Sequence, residues 1–504
     1  MNIKGDITGG LTAGVVALPL CLAFGIASGL GAAAGLYGAI ILSFFAAIFG
    51  GTKTQISGPT GPMTVVTASV VVAMGGNMAL IGCVFVVAGL LQILFGLVRL
   101  GRLIRFIPYS VTSGFMNGVG LIIILLQLAP MLGGDSPKGP VDGILCLPSI
   151  DINWASAALG VVALAIIFLT PKKISSVIPA PLLALIVLSL ISYYSGADVR
   201  VIGEVPSGLP DFHLPHITME HIVTIFGYGL TLAILGCIDS LLTSLIADSL
   251  TKTKHSPNRE LIGQGIGNAL CGFFGGLVGA GATMRTVTNI KLGGNSRFSG
   301  VMSSLFLVSV LLAFHDLVSF VPVAVLSGIL IKVGIDIFDY RLLKEVKLMP
   351  KTDLMLMILV FLLTVFVNLI FAVAVGVVVA VIAHLMAVRT MSKRERTALA
   401  EFEKHGDITV AKLSGPMYFG TSSLQAYRFA KEKSGVTVLD LTHVNMIDVS
   451  GIYALEDEIS VKRAAGEQVA LVATSSQALM NMRTMVGAEY VFTTVEEALA
   501  SVNK

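Results

Sequence analysis

From its first residues to about Met391 this chain is a succession of long apolar runs separated by short polar turns, and that feature restricts its folding more than any other. Hydrocarbon offers no water to satisfy backbone N–H and C=O groups, so a segment that crosses it as a helix must close its own hydrogen bonds. The chain is 55% hydrophobic and 12% charged, where soluble proteins are about a quarter charged. It is read as a polytopic α-helical membrane protein. After Ser392–Arg396 (SKRER) the sequence becomes mixed and charged, which marks a domain boundary. The expected division is a transmembrane domain over 1–391, a linker over 392–406 and a small soluble domain over 407–504.

A spanning helix needs roughly 20 apolar residues, and a half-helix fewer. Seven candidate segments come first: Gly9–Ser28, Gly35–Gly50, a short Thr60–Gly75, Met78–Leu97, Val111–Leu132, Ala155–Leu169 and Val177–Tyr194. Seven follow: Ile222–Leu250, Gly263–Val278, a short Thr283–Gly293, Gly300–Phe314, Val318–Val333, Leu354–Ile370 and Phe371–Val388. With the N-terminus inside, the cytoplasmic loops collect Arg99, Arg102, Lys172, Lys173, Lys254, Arg259, Lys291, Arg297, Arg341, Lys344 and Lys351, among others, while the outer loops carry only Lys138 and Arg200. This is the positive-inside pattern, and it places both termini in the cytoplasm. The N-terminal run is taken as the start of the first span, not a removable signal.

The two short segments are each third of seven, and they echo one another: GPTGPMTVVT (Gly58–Thr67) lies over GAGATMRTVT (Gly279–Thr288). Short Gly/Pro-interrupted segments at matching places in two halves predict an inverted repeat with a site at the membrane midplane. The N-termini of such half-helices carry orphan N–H groups and partial positive charge, which suit an anion. Thr60, Gly61, Ala282 and Thr283 fall at those ends. Arg285, in the glycine-rich break Gly275–Asn289, adds a full positive charge to the site. The alternative is that it snorkels to the cytoplasmic face.

Asp239 lies in the middle of the apolar run Leu232–Leu250, with Thr243 one turn later on the same face. Acids inside hydrocarbon survive mainly where they bind something. Carboxylate, hydroxyl and backbone carbonyl oxygens make a hard-cation site that fits Na⁺; coupling to H⁺ is the alternative. Asp248, near Lys252, is read as a helix-end charge. The five cysteines are scattered without a CxxC or a Cys/His cluster, so neither a disulfide framework nor zinc is expected. The single tryptophan, Trp154, gives no stacking platform for nucleic acid. No P-loop, HExxH or GxSxG occurs, so an enzyme is not expected and no cofactor is implied.

These residues resemble the SulP anion transporters, whose animal members include pendrin and prestin. The resemblance runs from ALPLCLAFGIASG (Ala17–Gly29) through QISGPTGPMTVV (Gln55–Val66) to LGCIDSLLTSLIADSLTKTKHSPNRELIGQGIGN (Leu235–Asn268) and GGLVGAGATMRTVTNI (Gly275–Ile290). The last two are most similar to the BicA-type bicarbonate transporters of cyanobacteria. The resemblance implies seven plus seven inverted segments in core and gate subdomains, elevator-like movement of the core, and a homodimer. It associates Asp239, Thr243, Gly281 and Thr283 with Na⁺, and Thr60 and Ala282 with bicarbonate. Arg285 departs from that group and is similar instead to the arginine of animal and plant members, which handle chloride, sulfate or oxalate.

Beyond the boundary, Asp407–Gly420 and Val436–Ile459 alternate as sheet-building segments do, Gln468–Thr474 is another strand, and a helix is expected over Ser476–Val486. LDLTHVNMIDVSG looks like the central motif of STAS domains, with Ser450 at a phosphorylation-type, regulatory position. The expected function is import of a small inorganic anion across the inner membrane, bicarbonate coupled to Na⁺ first. The alternatives are sulfate or dicarboxylate uptake with H⁺, and uncoupled or exchange transport such as chloride for bicarbonate. Expected partners are the anion, Na⁺, the bilayer, a second copy and a cytoplasmic ligand of the STAS domain, with no nucleic acid.

Overall fold

The protein is described by a computed structural model, which covers the chain apart from residues 1–2, 103–107, 138, 176–177, 204–207, 209, 211, 213, 215–220, 252, 314–317, 345, 347–348, 368, 390–398, 406–407, 418–435, 465, 473–490 and 503–504. Each of the fourteen apolar segments is a helix. The first seven are α1 (Ile3–Ala27), α2 (Ala32–Phe49), α3 (Gly61–Ala73), α4 (Met78–Leu97), α5 (Tyr109–Met131), α6 (Trp154–Leu169) and α7 (Ala180–Ser195). The second seven are α8 (Ile222–Thr251), α9 (Pro257–Phe273), α10 (Thr283–Lys291), α11 (Arg297–Ala313), α12 (Val323–Ile337), α13 (Lys351–Phe366) and α14 (Leu369–Arg389). Among the described residues, α1, α2, α4, α5 and α8 are by themselves long and apolar enough to cross a membrane. The outward faces carry Leu94, Leu97, Phe168, Leu169 and Phe366, as a lipid-facing surface requires.

The chain divides into two compact units, Met1–Ile104 with Val119–Phe338, and Arg105–Gly118 with Asp339–Lys504. In the first, α1–α4 and α8–α11 pack on one another as a core, and α6, α7 and α12 pack together as part of a gate. Lipid is as apolar as leucine, so these contacts rest on close van der Waals fit and not on the hydrophobic effect. The α4–α9 seam shows how. A Cβ on Gly265 would lie 2.5 Å from Gly89 O, and one on Gly272 would lie 2.6 Å from Gly82 O. Elsewhere in the core, Asp6 of α1 accepts from the backbone N–H of Asn295 (2.8 Å) and Ser296 (2.9 Å) and so closes the start of α11. Two very short strands, β1 (Ser57–Gly58) and β2 (Ala280–Gly281), precede α3 and α10 and pair antiparallel.

The second unit contains a five-stranded sheet in the order β3 (Leu399–His405), β4 (Ile408–Met417), β5 (Val436–Ile447), β6 (Gln468–Val472) and β7 (Val491–Phe492). Only β3–β4 is antiparallel. Two helices, α15 (Val449–Ala464) and α16 (Val495–Val502), complete the described part of the domain. Two expectations change. The linker expected over 392–406 ends in β3, whose hydrogen bonds to β4 place Leu399–His405 inside the domain; 392–398 lie outside the described residues. The segment Val436–Ile459 is strand only to Ile447 and helix from Val449, because Asp448 and Asp353 cap a new helix by accepting from Gly451 N (2.7 Å) and Val449 N (3.0 Å). The helix expected at 476–486 falls outside the described residues.

Asp353 belongs to α13, so a membrane helix caps the soluble domain's central helix. Leu342 and Met357 join Leu439, Leu441, Leu455 and Leu471 in one apolar core. Arg341 pairs with Glu456 at 2.6 Å and stacks 3.8 Å over the Tyr453 ring. Ser450 Oγ accepts from Tyr109 N, the first residue of α5, at 3.0 Å.

Candidate functional site

The site begins with two helices too short to cross a bilayer. α3 has 13 residues and α10 has 9; at ~1.5 Å per residue they reach roughly 20 and 14 Å, against a hydrocarbon core of about 30 Å. Ser57 pairs with Gly281 and Gly58 with Ala280. The N-caps Thr60 and Ala282 follow within two residues of those pairs. An antiparallel pair sends its two chains away in opposite directions, so α3 and α10 diverge and their N-termini share one small region. Neither N-cap bonds its own helix through a side chain, which leaves first-turn N–H groups to another partner.

Thr64 and Thr67 turn their hydroxyls back onto α3, to Thr60 O (2.8 Å) and Met63 O (2.9 Å). Thr60 Oγ1, by contrast, is buried without a hydrogen-bond partner among the described residues. Gly61 opens α3 where a Cβ would lie 2.8 Å from Ile123 Cδ1 and 3.0 Å from Ile337 Cδ1, so its small size serves close packing against α5 and α12.

Asp239 stands on α8 with Oδ2 buried and unpartnered among the described residues. It is within electrostatic reach of Arg285 and lies beside Thr60. One turn on, Thr243 Oγ1 donates to Gly281 O at 3.0 Å and lies 2.8 Å from Thr283 Oγ1. Gly281 N donates to Ser240 Oγ at 3.0 Å. The structure therefore brings Thr243, Gly281 and Thr283 into one chain of hydroxyl and carbonyl oxygens, with Asp239 one turn before Thr243 on α8 and beside Thr60; carboxylate, hydroxyl and carbonyl oxygens are the ligand types of hard cations. Among the described residues no three His, Cys, Asp or Glu side chains converge on a metal position.

Arg285 does not snorkel. It is 2% exposed, and Nη2 donates to Pro59 O across the strand pair. Its Nη1 is buried without a partner among the described residues. A Cβ on Gly58 would sit 2.5 Å from Nη1, so only glycine lets the guanidinium lie against this backbone. Cys21 of α1 is its other close neighbour. Asp248, read as a helix-end charge beside Lys252, accepts from both N and Nδ1 of His255, the latter at 2.7 Å; Lys252 is outside the described residues.

Sequence reasoning passed over a set of buried polar side chains behind the site. Glu260, Gln264 and Asn268 stand at four-residue spacing on α9, and all three are buried. Asn268 brackets Gly279, donating to its carbonyl at 3.0 Å and accepting from its N–H at 2.9 Å. A single-faced polar stripe within a membrane helix was the available signal.

Residues 3–360 match the sulfate permease family and residues 400–498 the STAS domain. The bicarbonate transporter BicA of Synechocystis sp. is 42% identical over 473 residues, which is 88% of this chain and 83% of that one. A putative sulfate transporter of Bacillus subtilis, YbaR, is 30% identical over 458 residues, 90% of each chain. The solved transmembrane domain of a cyanobacterial bicarbonate transporter BicA, 46% identical, superposes with a TM-score of 0.71 and covers 74% of this chain and 98% of that one. With two facing half-helix N-termini, a buried arginine and a membrane-embedded acid in place, the chain belongs to the sulfate permease family of anion transporters and carries a C-terminal STAS domain.

Proposed function

We propose that this transporter imports bicarbonate together with Na⁺. The observation that carries the reading is the buried oxygen Asp239 Oδ2, beside Thr60 and one turn before Thr243, whose hydroxyl meets Gly281 O and Thr283 Oγ1. A buried carboxylate oxygen without a donor is costly, and a cation relieves it. Asp239 and Arg285 carry opposite charges, so the site without ions is balanced. A monovalent anion that enters with one Na⁺ keeps it balanced. The uncapped N-termini of α3 and α10 supply N–H donors for the anion.

The core of α1–α4 and α8–α11 carries every one of these groups, which supports an elevator-like movement of that layer against the gate. The inner membrane, cytoplasmic termini and a homodimer complete the proposal, on the charge asymmetry of the loops and on what the resemblance to the SulP transporters implies. A second reading rests on Arg285. Its free Nη1 donor suits an oxyanion such as sulfate, taken up with H⁺ or exchanged, and YbaR carries the name of a sulfate transporter.

Uptake of labelled bicarbonate and labelled sulfate into proteoliposomes, with and without an inward Na⁺ gradient, decides between the two. Bicarbonate uptake that needs Na⁺ is the expected result. Sulfate uptake indifferent to Na⁺ would assign the substrate to Arg285 and leave Asp239 to protons or structure.

A further inference from the structure

We infer that Glu260 is a positioning residue for the anion site, acting through Gln55 and Gln264. The inference rests on the reading that the α3 and α10 N-termini bind the anion. Glu260 stands in the first turn of α9, where an acid is favoured by the helix end alone. Its partners show a different use. The residue is 1% exposed. Oε2 accepts from Gly51 N (2.8 Å) and Thr52 N (2.7 Å), and Oε1 accepts from Gln55 Nε2 (2.9 Å) and Gln264 Nε2 (2.9 Å). Three of those donors belong to the loop between α2 and β1, the segment that delivers Thr60.

Two arms lead from the carboxylate to the strand pair. In the first, Gln55 Oε1 accepts from Ser244 Oγ at 2.9 Å, beside Thr243, and the Gln55 amide lies against Gly281, where a Cβ would be 2.7 Å from Gln55 Cδ. In the second, Gln264 Nε2 also donates to Ser57 Oγ at 2.7 Å, and Ser57 pairs with Gly281. Both arms therefore end at the residues that set where the two half-helices begin. Arg297 Nη2 donates to Gly50 O at 2.8 Å and Arg259 Nε to Phe49 O at 3.1 Å, so guanidinium groups flank the same turn. Four converging donors need an acceptor at both oxygens, which glutamine does not provide. Glu260→Gln keeps the volume and turns an NH₂ group onto one set of N–H donors.

The test is uptake of whichever of labelled bicarbonate or labelled sulfate the wild type takes, read as half-saturating concentration and maximal rate, together with the melting temperature in detergent. Glu260→Gln is expected to raise the half-saturating concentration about tenfold and to leave the maximal rate within about twofold. Adding Gln55→Glu restores a carboxylate across the same hydrogen bond and brings part of the affinity back. Half-saturation unchanged in Glu260→Gln, with only the melting temperature or the maximal rate lowered, overturns the inference and leaves Glu260 a structural residue. Should that variant fail to accumulate, Gln264→Met cuts one arm only and is expected to raise half-saturation about fivefold; no rise there overturns the inference as well. Thr60→Val separates the two layers of argument. If Thr60→Val weakens the anion and Glu260→Gln does not, the positioning role fails alone. If Thr60→Val changes nothing, the site reading fails and takes the inference with it.

Discussion

Asp239 and Arg285 are the two charges whose loss separates the cation from the anion. Asp239→Asn keeps the shape of the side chain and removes the charge that a cation would balance. The expected outcome is loss of Na⁺-driven uptake in a protein that still inserts and melts normally; undiminished Na⁺-driven uptake would take Asp239 out of the coupling site. Arg285→Gly removes both the donor to Pro59 O and the free Nη1. A divalent anion gains more from a fixed guanidinium than a monovalent one. The variant should therefore weaken sulfate more than bicarbonate when the two compete for uptake, and equal losses would make Arg285 a general binding or structural residue. Both charges were legible: Asp239 interrupts the apolar run Leu232–Leu250, and Arg285 is the one charge in the glycine-rich break Gly275–Asn289. The direction of Arg285 was not, because a long side chain near a helix start reaches either inward or to the surface. Glu260 was hidden by its neighbours: beside Arg259 and after a polar turn it reads as a loop charge, and only the fold brings Gly51, Thr52 and Gln55 onto it.

At the scale of elements, the half-helices are held by a pair of two-residue strands. A Cβ on Gly279 would fall on the Gly58 backbone, closer than any real contact. Gly279→Ala must push β1 and β2 apart, and with them the N-termini of α3 and α10. Overpacking of this kind costs about 1–3 kcal/mol. The expected result is a lower melting temperature and uptake reduced by at least about tenfold, as misplacement of a binding group implies. Wild-type uptake by Gly279→Ala would mean that the strand pair does not set the site. Hydropathy revealed the apolar helices, because burial in lipid demands apolar length; α10, short and polar, was marked instead by its echo of α3. Hydropathy could not reveal β1 and β2, since two residues have no period. It also began α9 at Gly263 and not Pro257, because the first turns of that helix carry Asn258, Arg259 and Glu260, and the capping of those turns is written in polar residues.

Across the whole molecule, the division of labour follows the two units. Every residue of the candidate site lies in the first, and the sheet, α13, α14 and the first turns of α5 lie in the second. Ion choice should then be independent of the soluble domain, while stability should not. Deletion of residues 407–504 removes four of the five strands and α15, leaves β3 without its partner, and strips cover from Leu342 and Met357. It also takes Val449 N from Asp353 and Glu456 from Arg341. The change of composition falls at Ser392–Arg396, and the strand-like alternation of Asp407–Gly420 puts the start of the domain at 407; neither signal registers β3 or the membrane-helix residues that complete the domain's core. A truncation there is expected to lower the melting temperature and the transport rate, with the bicarbonate-to-sulfate ratio and the Na⁺ dependence unchanged. Asp353→Ala is the milder version. It removes one cap from α15, at about 1 kcal/mol, and should loosen the soluble domain in hydrogen exchange without touching ion preference. A shifted ion preference in either variant would show that the second unit helps to shape the site, against the division drawn here. An unchanged melting temperature in the truncation would mean that the shared core contributes nothing to stability, although it buries Leu439, Leu441, Leu455 and Leu471 beside Leu342 and Met357.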